Sequence, residues 1–202
     1  MFALVDKSDN SITKMYNGNK GITIGDNQYP KAIFTLWTEA ERNAINIYTV
    51  TIDESKRKDE QWYINTNITY AFDGTNATGS YGDSTAKAHA DTLYTAQDET
   101  DGLGTEGDVR VEGLKTKLIR TVKAQAEGEL NKTDWYITRK AEKNTAIPSA
   151  ITTHRDAVRS KQDSMCTAIT NASDTPALET LYTYTEQEDG SVTRPLGQLP
   201  TL

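Results

Sequence analysis

The side chains that most often do chemistry in proteins are histidine, cysteine and the carboxylates. This sequence of 202 residues has two, one and 29 of them. His89 and His154 stand at no metal-ligand spacing from each other or from Cys166. His154-Arg155-Asp156 spells the triplet of a kinase catalytic loop. It lies inside a helical pattern, with neither a downstream Asp-Phe-Gly nor a nucleotide loop. Cys166 would need a base and an exposed position to act as a nucleophile. Its place beside Met165 on a helix reads as a small packed hydrophobe. Gly18, Gly21 and Gly25 punctuate turns and form no phosphate-cradling loop. A glycosidase needs two carboxylates at a set separation, and nothing in the sequence singles out such a pair. The expectation is a protein without catalytic, cofactor-binding or metal-ligating residues, and not an enzyme. A polysaccharide hydrolase is kept as the least favoured class.

The residues must therefore act, if they act at all, as surfaces. Net charge is −7 and the sequence pI is about 4.9, which leaves no basic surplus for phosphate neutralisation. The one basic run, Lys56-Arg57-Lys58, is enclosed by Asp53, Glu54, Asp59 and Glu60 and reads as a solvated loop. Nucleic acid and anionic membranes are both disfavoured as partners. A single cysteine permits no intrachain disulfide. The first residues, Met-Phe-Ala-Leu-Val-Asp-Lys, are charged too soon for a signal peptide, and no apolar run approaches a membrane span. Synthesis in a cytoplasm is expected. Threonine supplies 30 of the 202 residues; being β-branched, it favours strands and pleated surfaces.

The elements that carry these surfaces fall into two parts. Alternating runs predict strands at Phe2–Val5, Ser11–Tyr16, Ile47–Ile52, Trp62–Phe72 and Thr75–Tyr81. Trp62, Ile64, Ile68, Tyr70 and Phe72 share one parity. Asp73-Gly74 reads as a two-residue hairpin turn with positive φ at both positions. Thr38-Glu-Ala-Glu41 is a capping box for a short helix to Ile45, with Trp37 placed to staple onto its first turns. Residues 84–112 read as an acidic, Gly-rich linker, part helical around Ala86, Ala90, Leu93 and Tyr94. Leu114, Leu118, Val122, Ala126 and Leu130 recur every fourth residue and predict a helix over Gly113–Leu130. Further helices are expected at Trp135–Asn144 and Pro148–Ala172, the latter with Ile151, His154, Val158, Met165 and Ile169 on its face. A short helix from Thr175 and a small hairpin around Glu186–Gly190 close the chain. The fold class is α+β: a β-rich module over 1–83, the linker 84–112, and a helical region over 113–202.

Two segments resemble phage proteins. Leu130-Asn-Lys-Thr-Asp-Trp-Tyr-Ile-Thr-Arg-Lys-Ala-Glu142, Ile147-Pro-Ser149 and His154-Arg-Asp-Ala-Val-Arg159 resemble the C-terminal region of bacteriophage tail-fibre assembly chaperones and related tail-fibre-associated proteins. That pattern has an aromatic where His154 stands here. Ile24-Gly-Asp-Asn-Gln-Tyr-Pro30 through Leu36-Trp-Thr and on to Ala44-Ile45 resembles N-terminal modules of marine phage tail proteins. The resemblance carries no catalytic residues. It implies a structural or assembly component of a phage tail, made in the host cytoplasm and present in many copies. Its partners would be other tail proteins of the fibre or baseplate, and it would take no cofactor.

Trp135, Tyr136, Arg139, Arg155 and Arg159 are the candidate partner-interface or packing residues. Trp135 is expected to wedge between helices as core, with Arg155 and Arg159 exposed and free for a partner. Arg139 and Glu142 on one helix, with Arg155 and Arg159 on another, make cross-helix ion pairs feasible. A glycan-binding tail module, using exposed aromatics of the β half, is the alternative; Trp37 and Trp62 themselves read as core or edge residues of that half.

Overall fold

In the computed structural model, which describes residues 1–202, the chain is α+β and divides into two compact units, Met1–Thr85 and Ala86–Leu202. The first contains β1 (Phe2–Asp6), β2 (Ser11–Tyr16), β3 (Ile22–Ile24), β4 (Asn27–Tyr29), a 3-10 turn at Lys31–Phe34 and α1 (Glu39–Ala44). It continues with β5 (Ile47–Asp53), β6 (Tyr63–Ile64), β7 (Thr69–Phe72) and β8 (Ala77–Ser80), while β9 (Thr85–Ala86) straddles the boundary.

Five of these strands form a sheet in the order β2-β1-β5-β8-β7, with β5 and β8 parallel and the other neighbours antiparallel. Alternation along β1 sends Ala3 and Val5 to a cluster with Tyr48, Val50, Phe72 and Ala77. It sends Phe2 and Leu4 to a second cluster with Tyr16, Ile33, Phe34 and Ile47. β1 is thus covered on both faces, so every position from Phe2 to Val5 is apolar. The capping box of α1 forms: the Glu41 amide donates to the Thr38 hydroxyl, and the Thr38 amide donates to the Glu41 carboxylate at 2.7 Å. Trp37 joins the second cluster with Ile45 and stands edge-on to Tyr29.

The strand expected over Trp62–Phe72 is broken into β6 and β7. Asn65 takes up the backbone of Lys58 with its side-chain amide, accepting at 2.9 Å and donating at 2.8 Å. The Thr66 hydroxyl accepts the Gly82 amide at 2.6 Å. Polar side chains that bond backbone this way compete with a strand ladder. The expected parity fails with it: Trp62 and Tyr63 are both buried, whereas Ile64 is exposed. The β7–β8 turn also differs from the expectation. It is a four-residue loop in which Gly74 alone has positive φ, at +97°. The Asp73 carboxylate accepts the amides of Thr75 and Asn76 at 2.8 and 2.7 Å, so a side-chain turn replaces the second left-handed residue.

The second unit contains β10 (Thr92–Leu93), α2 (Ala96–Thr100), β11 (Val109–Val111), α3 (Leu114–Asn131), α4 (Asp134–Lys143), α5 (Ser149–Asn171), α6 (Thr175–Tyr182), β12 (Thr185–Glu186) and β13 (Val192–Thr193). α3 and α5 pack antiparallel, the Lys115 ammonium at the start of one reaching the Thr170 carbonyl near the end of the other at 2.8 Å. Leu114, Val122 and Ala126 of α3 are buried, as are Ile151, Val158, Met165 and Ile169 of α5. The three long helices lie within a residue or so of their expected bounds.

Residues 84–112 are not a linker and hold no helix around Ala86–Tyr94. β10 and β11 pair antiparallel, α2 sits between them, and residues 87–91 form a strap. The reason lies at the start of α3. Its N-cap is Gly113, which has no side chain to satisfy the free amides of the first turn. The strap does this instead. The carbonyls of Ala88 and His89 accept the amides of Leu114 and Lys115, each at 3.0 Å. The Asp91 carboxylate accepts the Gly113 amide and the Thr116 hydroxyl, each at 2.7 Å. The Lys87 carbonyl accepts the hydroxyl of buried Thr175 at 2.6 Å, tying the strap to the start of α6.

Two outcomes follow from this cap. A Cβ at Gly113 would stand 2.3 Å from the Ala90 carbonyl oxygen, so Gly113→Ala must push the strap away. A loss of about 1–3 kcal/mol is expected by denaturant unfolding, and an unchanged midpoint would show that the close approach does not constrain the fold. The second concerns pH. The Gly113 amide, then the Thr116 hydroxyl, hold the Asp91 carboxyl below the usual carboxylate range. A carboxyl lowered on folding contributes stability that is complete above its unfolded pKa and is lost as pH falls through the folded value. The stability gap between the native chain and Asp91→Asn is expected to be constant near neutrality and to narrow in acid. A gap that widens in acid would contradict this.

Candidate partner-binding site

The turn between α3 and α4 is two residues long, Lys132 and Thr133, and its interior is polar. Thr133 is buried, and its hydroxyl donates to the Leu130 carbonyl at 2.9 Å. Into this turn comes Arg155 from α5, only 8% exposed. Its Nη1 is shared among the Leu130 carbonyl at 2.8 Å, the Thr133 hydroxyl at 2.7 Å and the Asp134 carboxylate at 2.7 Å. One cation thus meets the carbonyl end of α3, which favours it through the helix dipole, and the Asp134 carboxylate in the first turn of α4, which outweighs the positive end of that helix. Arg155 is therefore not an exposed partner contact, as its sequence position suggests, but an interior clasp. The cross-helix ion pair forms with Asp134, whose side chain is 52% exposed, rather than with Glu142.

α4 buries none of its residues. Trp135, expected as core, is 51% exposed. The junction it was expected to fill is occupied by Thr133 and the Arg155 guanidinium. On the outer face the Trp135 and Tyr136 rings lie 3.9 Å apart between centroids, tilted by 34°. The Arg139 guanidinium carbon stands 4.7 Å from the first centroid and 5.5 Å from the second. These three side chains hold one another in place through i+3 and i+4 spacing. Exposed Ile137, Lys140 and Lys143 continue the surface, and Asn144 ends the helix in the left-handed conformation at φ 51°. Arg159 belongs to neither group. It is exposed and pairs with Asp156 on its own helix at 3.3 Å. Of the five candidates, the structure joins Trp135, Tyr136 and Arg139 in one surface, sets Arg155 beneath them, and leaves Arg159 apart.

The stripe of α5 carried a signal for Arg155. Ile151, Arg155, Val158, Gln162, Met165, Ile169 and Ala172 alternate by four and three, and a basic residue on that seam marks a buried cation. The residues weighed for catalysis stay scattered. Burial raises the Cys166 thiol above its ordinary value, which disfavours the thiolate. No group of three or more His, Cys, Asp or Glu is placed to hold a metal ion. In the first unit Trp62 is buried and Trp37 is half-buried against the second cluster, so both stand as core or edge residues of the sheet module. Comparison with protein-family models, curated proteins and solved structures finds no match for this chain.

The structure reverses the expected roles of Trp135 and Arg155 in stability. Arg155→Ala is expected to lower the thermal midpoint by about 1.5–3 kcal/mol, the usual worth of hydrogen bonds made by a charged group. Trp135→Ala is expected to leave it within about 0.5 kcal/mol, as for other surface changes. Thermal unfolding of the two variants side by side checks this; the opposite ranking would return Trp135 to the core.

Proposed function

We propose that this chain is a structural or assembly component of a bacteriophage tail, acting by protein–protein binding through α4. The observation that carries the reading is the uncovered Trp135–Tyr136–Arg139 surface. Tryptophan, tyrosine and arginine dominate the energetic centres of protein interfaces, the two aromatics because they bury much area with few rotamers to freeze and arginine because its planar guanidinium stacks on aromatic faces. Here the rings and guanidinium are already stacked, so little order would be lost on docking. The phage class rests on the resemblance of residues 130–159 to tail-fibre assembly chaperones and tail-fibre-associated proteins. The same segment supplies α4, its turn and the start of α5. No helix is long and apolar enough to cross a membrane, which is compatible with a place in a tail.

Mass spectrometry of purified virions tests the class: the chain is expected in the tail fraction, or bound to fibre protein in infected cells if it leaves before completion. Its absence from both would reject the reading. Pull-down of tail proteins tests the surface. Trp135→Ala is expected to lose capture while keeping the native melting temperature; capture at native level would remove α4 from the interface.

A further inference from the structure

The uncovered face of α4 has a counterpart elsewhere on the same unit. Asp134 is engaged by Arg155, so Arg139, Lys140 and Lys143 are opposed within α4 by Glu142 alone. A basic helix with exposed Trp135 and Ile137 therefore stands on a chain of net charge −7. The lobe formed by β10, α2 and β11 has the opposite character. Leu93 lies directly across from Val109, and Val109 and Val111 alternate along β11; all three are about half exposed. Leu103, in the loop between the strands, is 58% exposed. Around them Glu99, Asp101, Glu106 and Asp108 are exposed, while the lobe's one arginine, Arg110, is paired with Asp98. A two-stranded ribbon with an open apolar side is marginal without cover.

We propose that α4 docks on the β10–β11 lobe of a second copy of this chain. The inference rests on the reading of α4 as the binding face, and it names the occupant. Both surfaces pair apolar side chains with charge, and the charges are opposite, so a second copy satisfies both at once. The contact joins two different patches, so each copy keeps one of each free and association runs head to tail, into a ring or a filament. The β12–β13 ribbon is also acidic, at Glu186 and Glu188, with Tyr184 and Val192 exposed. There Arg194 lies 5.3 Å from the Tyr184 ring centroid and places a cation in the patch, so the β10–β11 lobe is the better match.

Sedimentation velocity on the full chain across a wide concentration range tests this, with circular dichroism to confirm that each variant is folded. The native chain is expected to form oligomers that dissociate as salt is raised. Lys140→Glu with Lys143→Glu, or Glu106→Lys with Asp108→Lys, is expected to give monomers. Mixing these two variants leaves a native contact at one seam and a charge-reversed contact at the other, and is expected to give oligomers in which the two chains alternate. Combining all four substitutions in one chain is expected to restore oligomers. Glu186→Lys with Glu188→Lys is expected to change nothing. A native chain that stays monomeric, a mixture that stays monomeric, or oligomers lost only with the β12–β13 variant would each overturn the proposal. The tail reading falls separately, on absence from virions and from fibre complexes, and it would survive a monomeric chain that still captures tail proteins through Trp135.

Discussion

The Arg155 guanidinium sits where the carbonyl end of one helix, a tight turn and the acidic start of the next helix meet. α3 finishes with free carbonyls, Thr133 brings a buried hydroxyl, and α4 starts beside a carboxylate. Burying a cation is costly, and attraction to a half-exposed carboxylate does not by itself offset that cost. The clasp holds because the same nitrogen also meets the carbonyl and the hydroxyl. The direction in which α4 leaves α3 therefore depends on a residue from a third helix, far along the chain.

The other end of the α3–α5 pair is tied by different means to the same effect. The strap over residues 87–91 supplies carbonyls and a carboxylate to the first turn of α3 and a carbonyl to Thr175 at the start of α6. Gly113 is bare because the strap passes where a side chain would be. One end of the pair is thus closed by an anionic group at a helix N-terminus and the other by a cation at a helix C-terminus. Both placements agree with the helix dipole. The apolar stripe between them is short on large side chains: Val122, Ala126 and Val158 lie at its middle. The polar closures at the ends fix a register that such a stripe specifies only loosely.

Local periodicity made most of the fold legible, and long-range polar bonding hid the remainder. The helices over 114–131, 134–143 and 149–171 follow from their stripes and from Pro148. The capping box at Thr38 was readable because both partners lie within four residues. The strap was not readable, since Asp91 caps a helix that begins more than twenty residues later, and no window joins the two. The break in the strand at Asn65 and Thr66 has the same origin, with partners at Lys58 and Gly82. At the candidate site the residue types were legible and their roles were exchanged. Size and apolarity place Trp135 inside and charge places Arg155 outside, yet polar groups at a tight turn demand a donor that tryptophan cannot supply in that geometry.

This exchange bears on function through the stability of α4 itself. A helix of ten residues is marginal in water when it buries no face. α4 persists because its ends are fixed. Asp134 is held by Arg155 in the first turn, and Asn144 closes the last turn with its amide on the Lys140 carbonyl at 2.9 Å. Across the middle, Trp135, Tyr136 and Arg139 stack on one another instead of on a core. An arrangement in which the ends carry the fold leaves the whole outer face free of structural duty. Its side chains are then constrained by one another. That is why the largest apolar side chain of the helical unit can stand half in solvent while α4 keeps its shape.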